Sequence, residues 1–369
     1  MRLLFLVARP TQFEAPLFRY AAQDQAHRFK PLFWDPRAAA PVADEELERA
    51  VDWGFDLLAG YPQSVAPPGE PGAWLDGEIQ QPCDLLIING YTSRLCRGAA
   101  RLARRRGIRT GLRLDSVIFP GERLRTFRRL VFRHLIGRWF DIFLGTSSLT
   151  LDYLRECGIP ARRCALFPYA VDHDAFRAQS RAEIVRRDDR RSAWSVPPGA
   201  RVLLTVSKLH PRETPYDLIQ GMSLLPENVH LVVAGDGPDR AAAERHALTS
   251  APGRVHFLGY APYMELPGLY AACDVFVHAP SEERWGVSVA EALACDRPVV
   301  AGTRVGAGHD LIRPGGNGFI YRTGSPADLA RCATAALALP ADLVSETSTA
   351  VLERWGYAAA WQSLLAAAG

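Results

Sequence analysis

The chain has 369 residues, more than a single hydrophobic core usually accommodates, so two domains are expected. Hydrophobic residues make up 48% and charged residues 22%, as in ordinary globular enzymes, and no apolar run is long enough to span a membrane. The formal net charge is only +3, yet residues 94–138 hold fourteen arginines against Asp115 and Glu122. Such a basic block needs solvent or an anionic partner around it.

Apolar runs typical of strands alternate with amphipathic segments of helix length, which is the pattern of doubly wound α/β domains. The opening segment lacks the small-residue cleavage site of a signal peptide and predicts a first buried strand. The predicted strands cover residues 3–7, 85–88, 110–114 and 142–145 in the first half, and 202–206, 229–234, 255–258, 275–279 and 298–301 in the second.

Seven cysteines are scattered along the chain, and none of them has Cys-x-x-Cys spacing. This usage argues for reduced thiols in a cytoplasmic protein, and against structural zinc or disulfides.

The predicted domain boundary lies in residues 176–199, a polar and charged linker that closes with two prolines. A first domain is expected over residues 1–175 and a second over residues 200–351. The remaining segment, 352–369, carries three aromatic residues on an Ala/Leu-rich helix. It can close the second domain or return to the first.

Residues 121–138 predict an amphipathic basic helix. Its apolar stripe consists of Leu124, Phe127, Val131 and Leu135, and its basic stripe of Arg125, Arg129 and Arg133. Two hypotheses follow: the apolar stripe packs on the domain's own sheet with the arginines in water, or the helix contacts an anionic membrane. We favour the first, because every helix of such a domain buries one face.

Two cations, Lys208 and Arg212, follow the first strand of the predicted second domain. They are expected at the carboxyl end of a parallel sheet, where open α/β folds bind ligands. A tight turn containing Gly235 and Gly237 follows the next strand, since glycine accepts the backbone geometry of such turns.

The most informative stretch is residues 280–303, PSEERWGVSVAEALACDRPVVAGT. Gly286 opens a predicted helix whose free backbone N–H groups suit a phosphate. Glu283 lies in the loop before that helix and Glu291 about one turn inside it. Two carboxylates so placed can accept hydrogen bonds from a polyhydroxylated ligand on either side of the phosphates.

This stretch resembles the signature of the retaining glycosyltransferases of family 4, the group 1 glycosyltransferases. The resemblance rests on Ser281, Trp285-Gly286, Glu291-Ala292 and Pro298-Val299-Val300 around the glutamate pair. It covers residues 140–345 firmly and the remainder by layout. It implies the GT-B fold, in which two Rossmann-like doubly wound domains face each other across a cleft. It also implies that the last helix packs back on the first domain.

The resemblance further implies roles for residues of the second domain. Glu283 would hold sugar hydroxyls, Glu291 the ribose, and Lys208 and Arg212 the diphosphate. Lys208 stands where the family usually has arginine, and Arg212 precedes Glu213, which occupies the usual lysine position. The other donor-binding residues implied are Trp285, Gly286, Val287, Gly235, Tyr260 and Ala261.

The first domain departs from the family pattern. The loop after its first strand, ARPTQFEAP, has no glycine, so Arg9, Thr11 and Gln12 would contact phosphate or acceptor through side chains. The family's His-Asp pair is replaced by Leu114-Asp115, with Arg113 adjacent. Asp115 then takes over a sugar hydroxyl, or it caps the next turn.

The implied activity is transfer of a sugar from a UDP or GDP donor to an acceptor, with retention at the anomeric carbon. The acceptor would be a small molecule, a glycan or a lipid-linked molecule. Neither a metal, nor a cofactor beyond the nucleotide sugar, nor a nucleic acid is expected. The protein would be cytoplasmic, with peripheral contact at the inner membrane face as a further hypothesis. A GT-B epimerase or hydrolase, or a catalytically silent nucleotide-sugar-binding protein, remains an alternative.

Overall fold

The computed structural model describes residues 1–39, 42–44, 49–51, 54–119 and 125–369. The chain divides into two compact units. The first comprises Met1–Val42, Phe55–Val171 and Trp355–Gly369, and the second Ala43–Gly54 and Asp172–Arg354. Within the described residues, no helix is both long and apolar enough to cross a bilayer.

The first unit is built on a parallel sheet. The strands before residue 172 are β1 (Arg2–Val7), β2 (Arg28–Phe33), β3 (Val42–Asp44), β4 (Arg49–Val51), β5 (Ser64–Val65), β6 (Leu85–Asn89), β7 (Arg109–Leu114), β8 (Ile142–Gly145) and β9 (Cys164–Leu166). In the part of the chain that the structure describes, seven of them form one sheet in the order β5-β2-β1-β6-β7-β8-β9, and β3 pairs with β4. The central strands read as continuous apolar runs because helices cover both faces of a parallel sheet.

The helices of the first unit are α1 (Glu14–Ala22), α2 (Pro71–Glu78), α3 (Arg94–Arg105), α4 (Arg125–Val131) and α5 (Ser148–Glu156), with short 3-10 turns at Pro36–Ala39 and Ala161–Arg163. A π-helical segment, Phe132–Ile136, follows α4 directly.

The second unit repeats this architecture around its own core. Its strands are β10 (Arg201–Val206), β11 (Val229–Ala234), β12 (Val255–Gly259), β13 (Val275–His278), β14 (Val299–Gly302) and β15 (Gly318–Tyr321). They form a parallel sheet in the order β12-β11-β10-β13-β14-β15.

The helices that follow residue 171 are α6 (His173–Glu183), α7 (Arg187–Ala193), α8 (Tyr216–Gly221), α9 (Arg240–Ser250), α10 (Leu266–Ala272), α11 (Val287–Ala294), α12 (Gly306–Leu311), α13 (Pro326–Leu337), α14 (Ala341–Leu352) and α15 (Tyr357–Ala368), with 3-10 turns at Ile184–Arg186, Met222–Leu224 and Tyr263–Glu265.

The last helix, α15, is part of the first unit. The Trp361 indole nitrogen donates to Asp24 Oδ2 at 2.8 Å, and its ring packs edge-on against Phe29 at 5.4 Å between centroids. At the other end of the helix, the Arg109 guanidinium donates to the carbonyl of Ala368. These contacts fix α15 on unit 1, although all of unit 2 up to Arg354 precedes it in the chain.

The predicted linker, residues 176–199, differs from the structure, which places α6 and α7 there as packed parts of the second unit. Arg187 and Arg191 bind the two carboxylate oxygens of Asp274 at 2.7 and 2.8 Å. The same side chains donate to the last carbonyls of α10, at Ala271 and Ala272. The linker prediction failed because these arginines, which suggest a solvated surface, are the groups that attach α7 to the sheet.

The predicted apolar stripe of the basic helix is also wrong as a buried face. Phe127 is 63% exposed and Leu135 55% exposed, whereas Phe132 and Ile136 are buried. For Leu135 the physical reason is the π-helical turn, in which the Gly137 amide donates to the Phe132 carbonyl five residues earlier, at 2.7 Å. This wider turn displaces Leu135 from the spacing of three and four on which the stripe was based. Phe127 precedes the turn and is already exposed within α4. Leu124 and the rest of residues 121–124 lie outside the described residues.

Candidate functional site

The candidate residues of the second unit lie at the carboxyl edge of its sheet, where the strand order changes direction. From β10 the chain goes first to β11 on one side and later to β13 on the other. Lys208 comes two residues after β10, and Glu283 five residues after β13. In open α/β sheets, ligands bind in the crevice that such a switch creates.

The turn after β11 lies directly against the segment that carries Lys208. The Leu209 amide donates to the Asp236 carbonyl at 2.9 Å. Gly235 has φ +155°, and a Cβ there would lie 1.8 Å from the Ser207 carbonyl oxygen. Only glycine permits this approach.

The end of β12 is attached to the same turn. The Gly235 amide donates to the Gly259 carbonyl at 2.7 Å, which brings Tyr260 and Ala261 to this edge of the sheet. Both are partly exposed.

Arg212 is connected to the loop that contains Glu283. The Ser281 amide and hydroxyl both donate to the Arg212 carbonyl, each at 2.9 Å. The Arg212 side chain is exposed, whereas that of Lys208 is partly buried. Backbone hydrogen bonds therefore connect the segment of Lys208 to the turn after β11, on one side of the switch point, and Arg212 to the loop after β13, on the other side.

Glu283 is held between the ends of β13 and β14. Its amide donates to the Arg304 carbonyl at 2.8 Å, and its carbonyl accepts from the Gly306 amide at 3.0 Å. Its carboxylate accepts from the Trp285 amide at 3.3 Å and remains partly accessible. The indole of Trp285 is buried beneath this loop, so Trp285 supports the loop rather than projecting from it.

Gly286 forms the N-terminal cap of α11 in the left-handed conformation, with φ +96°, and no side chain caps the helix. Val287 is the first helical residue and is partly exposed. The first N–H groups of an uncapped helix form a site suited to an anion.

Glu291 lies on α11 and is 4% exposed. The Tyr270 hydroxyl donates to its Oε2 at 2.9 Å, and burial raises the pKa of this carboxyl group to about 7. The sequence analysis missed Tyr270 as the partner of Glu291, because it lies in an apolar segment that predicts only core packing.

His278 is a second residue near the site that the sequence analysis did not identify. Its ring is buried at the end of β13, with Nε2 3.1 Å from the point where a side chain on Gly286 would begin. Burial lowers the pKa of His278 to about 4, so the ring is neutral at physiological pH. The available signal was a polar residue within the otherwise apolar run 275–279.

The candidates of the first unit follow β1 and β7. Arg113 differs from the expected ligand contact because it is fully buried in an ion pair with Glu14. Arg9 pairs with Asp35 at 3.4 Å, and the Thr11 hydroxyl donates to Glu14 Oε2 at 3.1 Å. Gln12 is partly exposed, as is Asp115, which directly follows the end of β7.

Within the described residues, no group of three or more histidine, cysteine, aspartate or glutamate side chains is placed to hold a metal ion. The cysteines are all free thiols.

Comparison with known proteins links the second unit to one family. The model of the family "Glycosyl transferases group 1" matches residues 186–354. A GDP-mannose-dependent alpha-mannosyltransferase of Mycobacterium tuberculosis (strain CDC 1551 / Oshkosh) is 36% identical over 193 residues, covering 52% of this chain and 47% of the relative. A D-inositol 3-phosphate glycosyltransferase of Xylanimonas cellulosilytica is 30% identical over 193 residues, covering 51% and 46%.

The chain spans about half the length of the curated relatives it matches. Among solved structures, HepE of Anabaena in complex with UDP and glucose has a TM-score of 0.74 at 21% identity, covering 99% of this chain and 98% of that chain. This likeness extends over both units and shows the fold. Residues 186–354 therefore resemble the group 1 glycosyl transferases, within a chain of the GT-B fold.

Proposed function

We propose that this protein is a retaining glycosyltransferase that moves a sugar from a UDP- or GDP-linked donor to an acceptor. The observation that carries the proposal is the convergence of Lys208, Arg212, Glu283 and the uncapped end of α11 on one switch point of the second sheet. Similar proteins support the donor class, since one relative depends on GDP-mannose and one solved structure holds UDP and glucose.

The chemical demand of the reaction is stabilisation of the departing diphosphate. Lys208 and Arg212 supply positive charge, and the first N–H groups of α11 supply aligned backbone donors. Groups fixed before the reaction stabilise developing charge without having to reorganise. The double hydrogen bond from Ser281 to the Arg212 carbonyl and the close packing of Gly235 against Ser207 supply that rigidity.

The remaining contacts assign each part of the donor to a different segment of the second unit. Glu283 holds sugar hydroxyls, because its carboxylate is accessible in the loop before α11. Glu291 accepts from the ribose, with Tyr270 orienting its carboxylate. Tyr260 and Ala261, after β12, border the base, with Gly235 beside them. Because the cations are side chains, we propose that transfer needs no metal and no cofactor beyond the nucleotide sugar.

Retention follows if the acceptor attacks from the face that the diphosphate leaves, with a departing phosphate oxygen taking the acceptor's proton. In this proposal Asp115 and the loop of residues 8–13, which belong to the first unit, contact a sugar hydroxyl, the phosphate or the acceptor. The acceptor is a small molecule, a glycan or a lipid-linked molecule. The reaction takes place in the cytoplasm.

The test is a donor screen followed by product analysis. UDP-glucose and GDP-mannose are compared by thermal shift, since a ligand that binds only the folded state raises the melting temperature. The donor that binds is then incubated with candidate acceptors, and NMR of the anomeric proton reports the stereochemistry. An inverted product would contradict retention. Free sugar formed as fast without acceptor as with it would indicate a hydrolase instead.

We also propose that the first unit contacts an anionic membrane through α4 and the π-helical segment. Phe127, Leu130 and Leu135 are between 51% and 63% exposed there, beside the exposed Arg133 and Arg138. Apolar side chains enter the boundary between headgroups and acyl chains, and each arginine near an anionic surface adds about 1 kcal/mol. This surface combines the two features that peripheral binding needs.

Vesicle flotation tests the membrane contact. The wild type should bind equimolar phosphatidylglycerol and phosphatidylcholine but not phosphatidylcholine alone. The variant Phe127→Ser/Leu130→Ser/Leu135→Ser should lose most of that binding. A matched control, Leu224→Ser/Leu248→Ser, changes exposed apolar residues of the second unit and should bind as the wild type does. Equal binding by the triple variant would remove this surface from the proposal.

A further inference from the structure

Arg113 and Glu14 form a buried ion pair in the first unit, with side chains 0% and 3% exposed. Arg113 Nη1 donates to Glu14 Oε1, and Nη2 donates to the Pro168 carbonyl at 3.3 Å. The guanidinium lies over the ring of Tyr169 at 4.3 Å and over that of Phe167 at 5.0 Å. One cation therefore connects the end of β7, the start of α1 and the segment after β9.

Stability alone does not account for this arrangement. Removing two charges from water is costly, and apolar residues of similar size often stabilise a core equally well. Arg113 Nε is also buried without a hydrogen-bond partner among the described residues. Because stability does not explain the ion pair of Arg113 and Glu14, its role is sought in the segment that it holds in place.

That segment is the loop of residues 8–13, between β1 and α1. Glu14 Oε2, the oxygen not bound by Arg113, accepts from the Thr11 hydroxyl at 3.1 Å. The amides of Glu14 and Ala15 donate to the Thr11 carbonyl at 3.2 and 3.0 Å. The ring of Phe13 packs edge-on against Tyr169 at 5.1 Å. Two loop residues on either side of Gln12 are thus held by groups that Arg113 contacts.

The other end of the loop is fixed separately, because Arg9 pairs with Asp35. Asp35 is 7% exposed, and hydrogen bonding with Arg37 lowers its pKa, so it stays ionised. Gln12 therefore lies between two anchored segments at the carboxyl edge of the first sheet, and it keeps a partly exposed side chain there.

We propose that Arg113, through Glu14 and Tyr169, is a positioning residue for this loop and fixes Thr11 and Gln12 for contact with the phosphate or the acceptor. In loops with glycine, the backbone itself can approach a ligand. In this chain the ion pair would instead hold the loop so that its side chains make the contact. Its effect on turnover rests on the proposed glycosyl transfer. Its effect on the loop does not.

The test uses a variant that removes both charges, Glu14→Leu/Arg113→Met, so that no unpaired charge is left buried. Hydrogen exchange by mass spectrometry should show amides 11–15 exchanging roughly tenfold faster or more, as expected for loss of a charged hydrogen bond. In the presence of the acceptor found by the product analysis above, release of UDP from UDP-glucose, or of GDP from GDP-mannose, should fall by roughly tenfold to a hundredfold, as misplacement of contact residues predicts. Unchanged affinity for free UDP or GDP would assign the loop contact to the acceptor, and weaker affinity would assign it to the phosphate.

Two further variants sharpen the result. Arg113→Lys keeps a charge beside Glu14 and should restore part of the turnover. Lys30→Met/Glu78→Leu removes another ion pair of the same unit, between β2 and α2, and should leave exchange at residues 11–15 unchanged. Wild-type exchange at 11–15 in the Glu14/Arg113 variant would overturn the proposal, as would faster exchange with full turnover. If the wild type released nucleotide from neither donor, the proposed transfer would fall, while faster exchange in the variant would still support positioning.

Discussion

Glu291 is a carboxyl group in a setting that disfavours its charge, and this makes the stability of the fold depend on pH. Burial raises its pKa from 4.5 to about 7, and the Tyr270 hydroxyl offsets only part of that effect. In the unfolded chain the group loses its proton near the ordinary value. Between these two values, the folded state holds a proton that the unfolded state has released.

Glu291→Gln should therefore stabilise the ligand-free protein at neutral and higher pH. As pH rises from about 4.5 to about 7, the wild-type free energy of unfolding should fall by up to about 3 kcal/mol from this group. Glutamine has nearly the same shape and no charge, so the variant should lack that fall. Urea unfolding at several pH values measures the difference. Parallel pH profiles for the two proteins would show that Glu291 titrates normally.

Lys208→Ala should lower turnover far more than donor affinity. The diphosphate gains negative charge as the sugar leaves, so a cation beside it binds the transition state better than the ground state. Loss of one preorganised electrostatic group costs roughly a hundredfold or more in kcat. Steady-state kinetics and calorimetry with the donor separate the two effects. Arg331→Ala is the control, since Arg331 pairs with Asp328 within α13; unaltered turnover in Lys208→Ala would remove the diphosphate from this edge of the sheet.

Some site residues could be predicted from sequence and others could not. Glu283, Gly286 and Lys208 lie where local pattern predicts, since Glu283 and Lys208 are in loops that follow strands and Gly286 opens a helix. The partners of Glu291 and Arg113 could not be predicted in this way. Tyr270 and Glu14 are 21 and 99 residues away from them in the chain, and only tertiary packing brings each pair together.

At the scale of elements, the turn after β11 shows how tightly two segments of the site are packed. Gly235→Ala should destabilise the second unit by about 3 kcal/mol or more, because the new methyl group would lie 1.8 Å from the Ser207 carbonyl oxygen. Gly253→Ala is a matched control, with positive φ but no atom within 4 Å of the added group. Denaturant unfolding of both variants isolates the part of the destabilisation that is due to the steric clash. Equal destabilisation would mean that the close approach is not essential.

The strands were the most predictable elements. All nine predicted strands are confirmed to within one residue at each end, because buried parallel strands are continuous apolar runs. Within the described residues, six shorter or less regular strands were not predicted: β2, β3, β4, β5, β9 and β15. Among them, β2 was missed because its sequence, RFKPLF, interrupts the apolar run with lysine and proline. The segments α6 and α7 were taken for a linker because their arginines bind Asp274 and helix carbonyls, and sequence alone does not distinguish such arginines from solvated ones.

For the whole molecule, the return of α15 to the first unit makes that unit depend on a helix that follows the second unit in the chain. Removal of residues 355–369 should destabilise unit 1 and leave unit 2 nearly unchanged. The truncation exposes apolar surface around Phe29 and removes the hydrogen bonds to Asp24 and Arg109. Hydrogen exchange should show faster exchange in β1 and β2 but not in β10 or β11. Loss of protection in both units alike would mean that they unfold together.

The same helix sets an order of events during synthesis. A ribosome makes residues 1–171 before residues 172–354, yet the helix that completes the core of the first unit emerges only after residue 354. Domains usually fold in the order in which they are made. Here the unit that is started first can be completed only after the other unit has been synthesised in full. Throughout that interval the nascent chain keeps an apolar docking face uncovered, and a chaperone that shields such faces would have its binding site on the amino-terminal half of the chain.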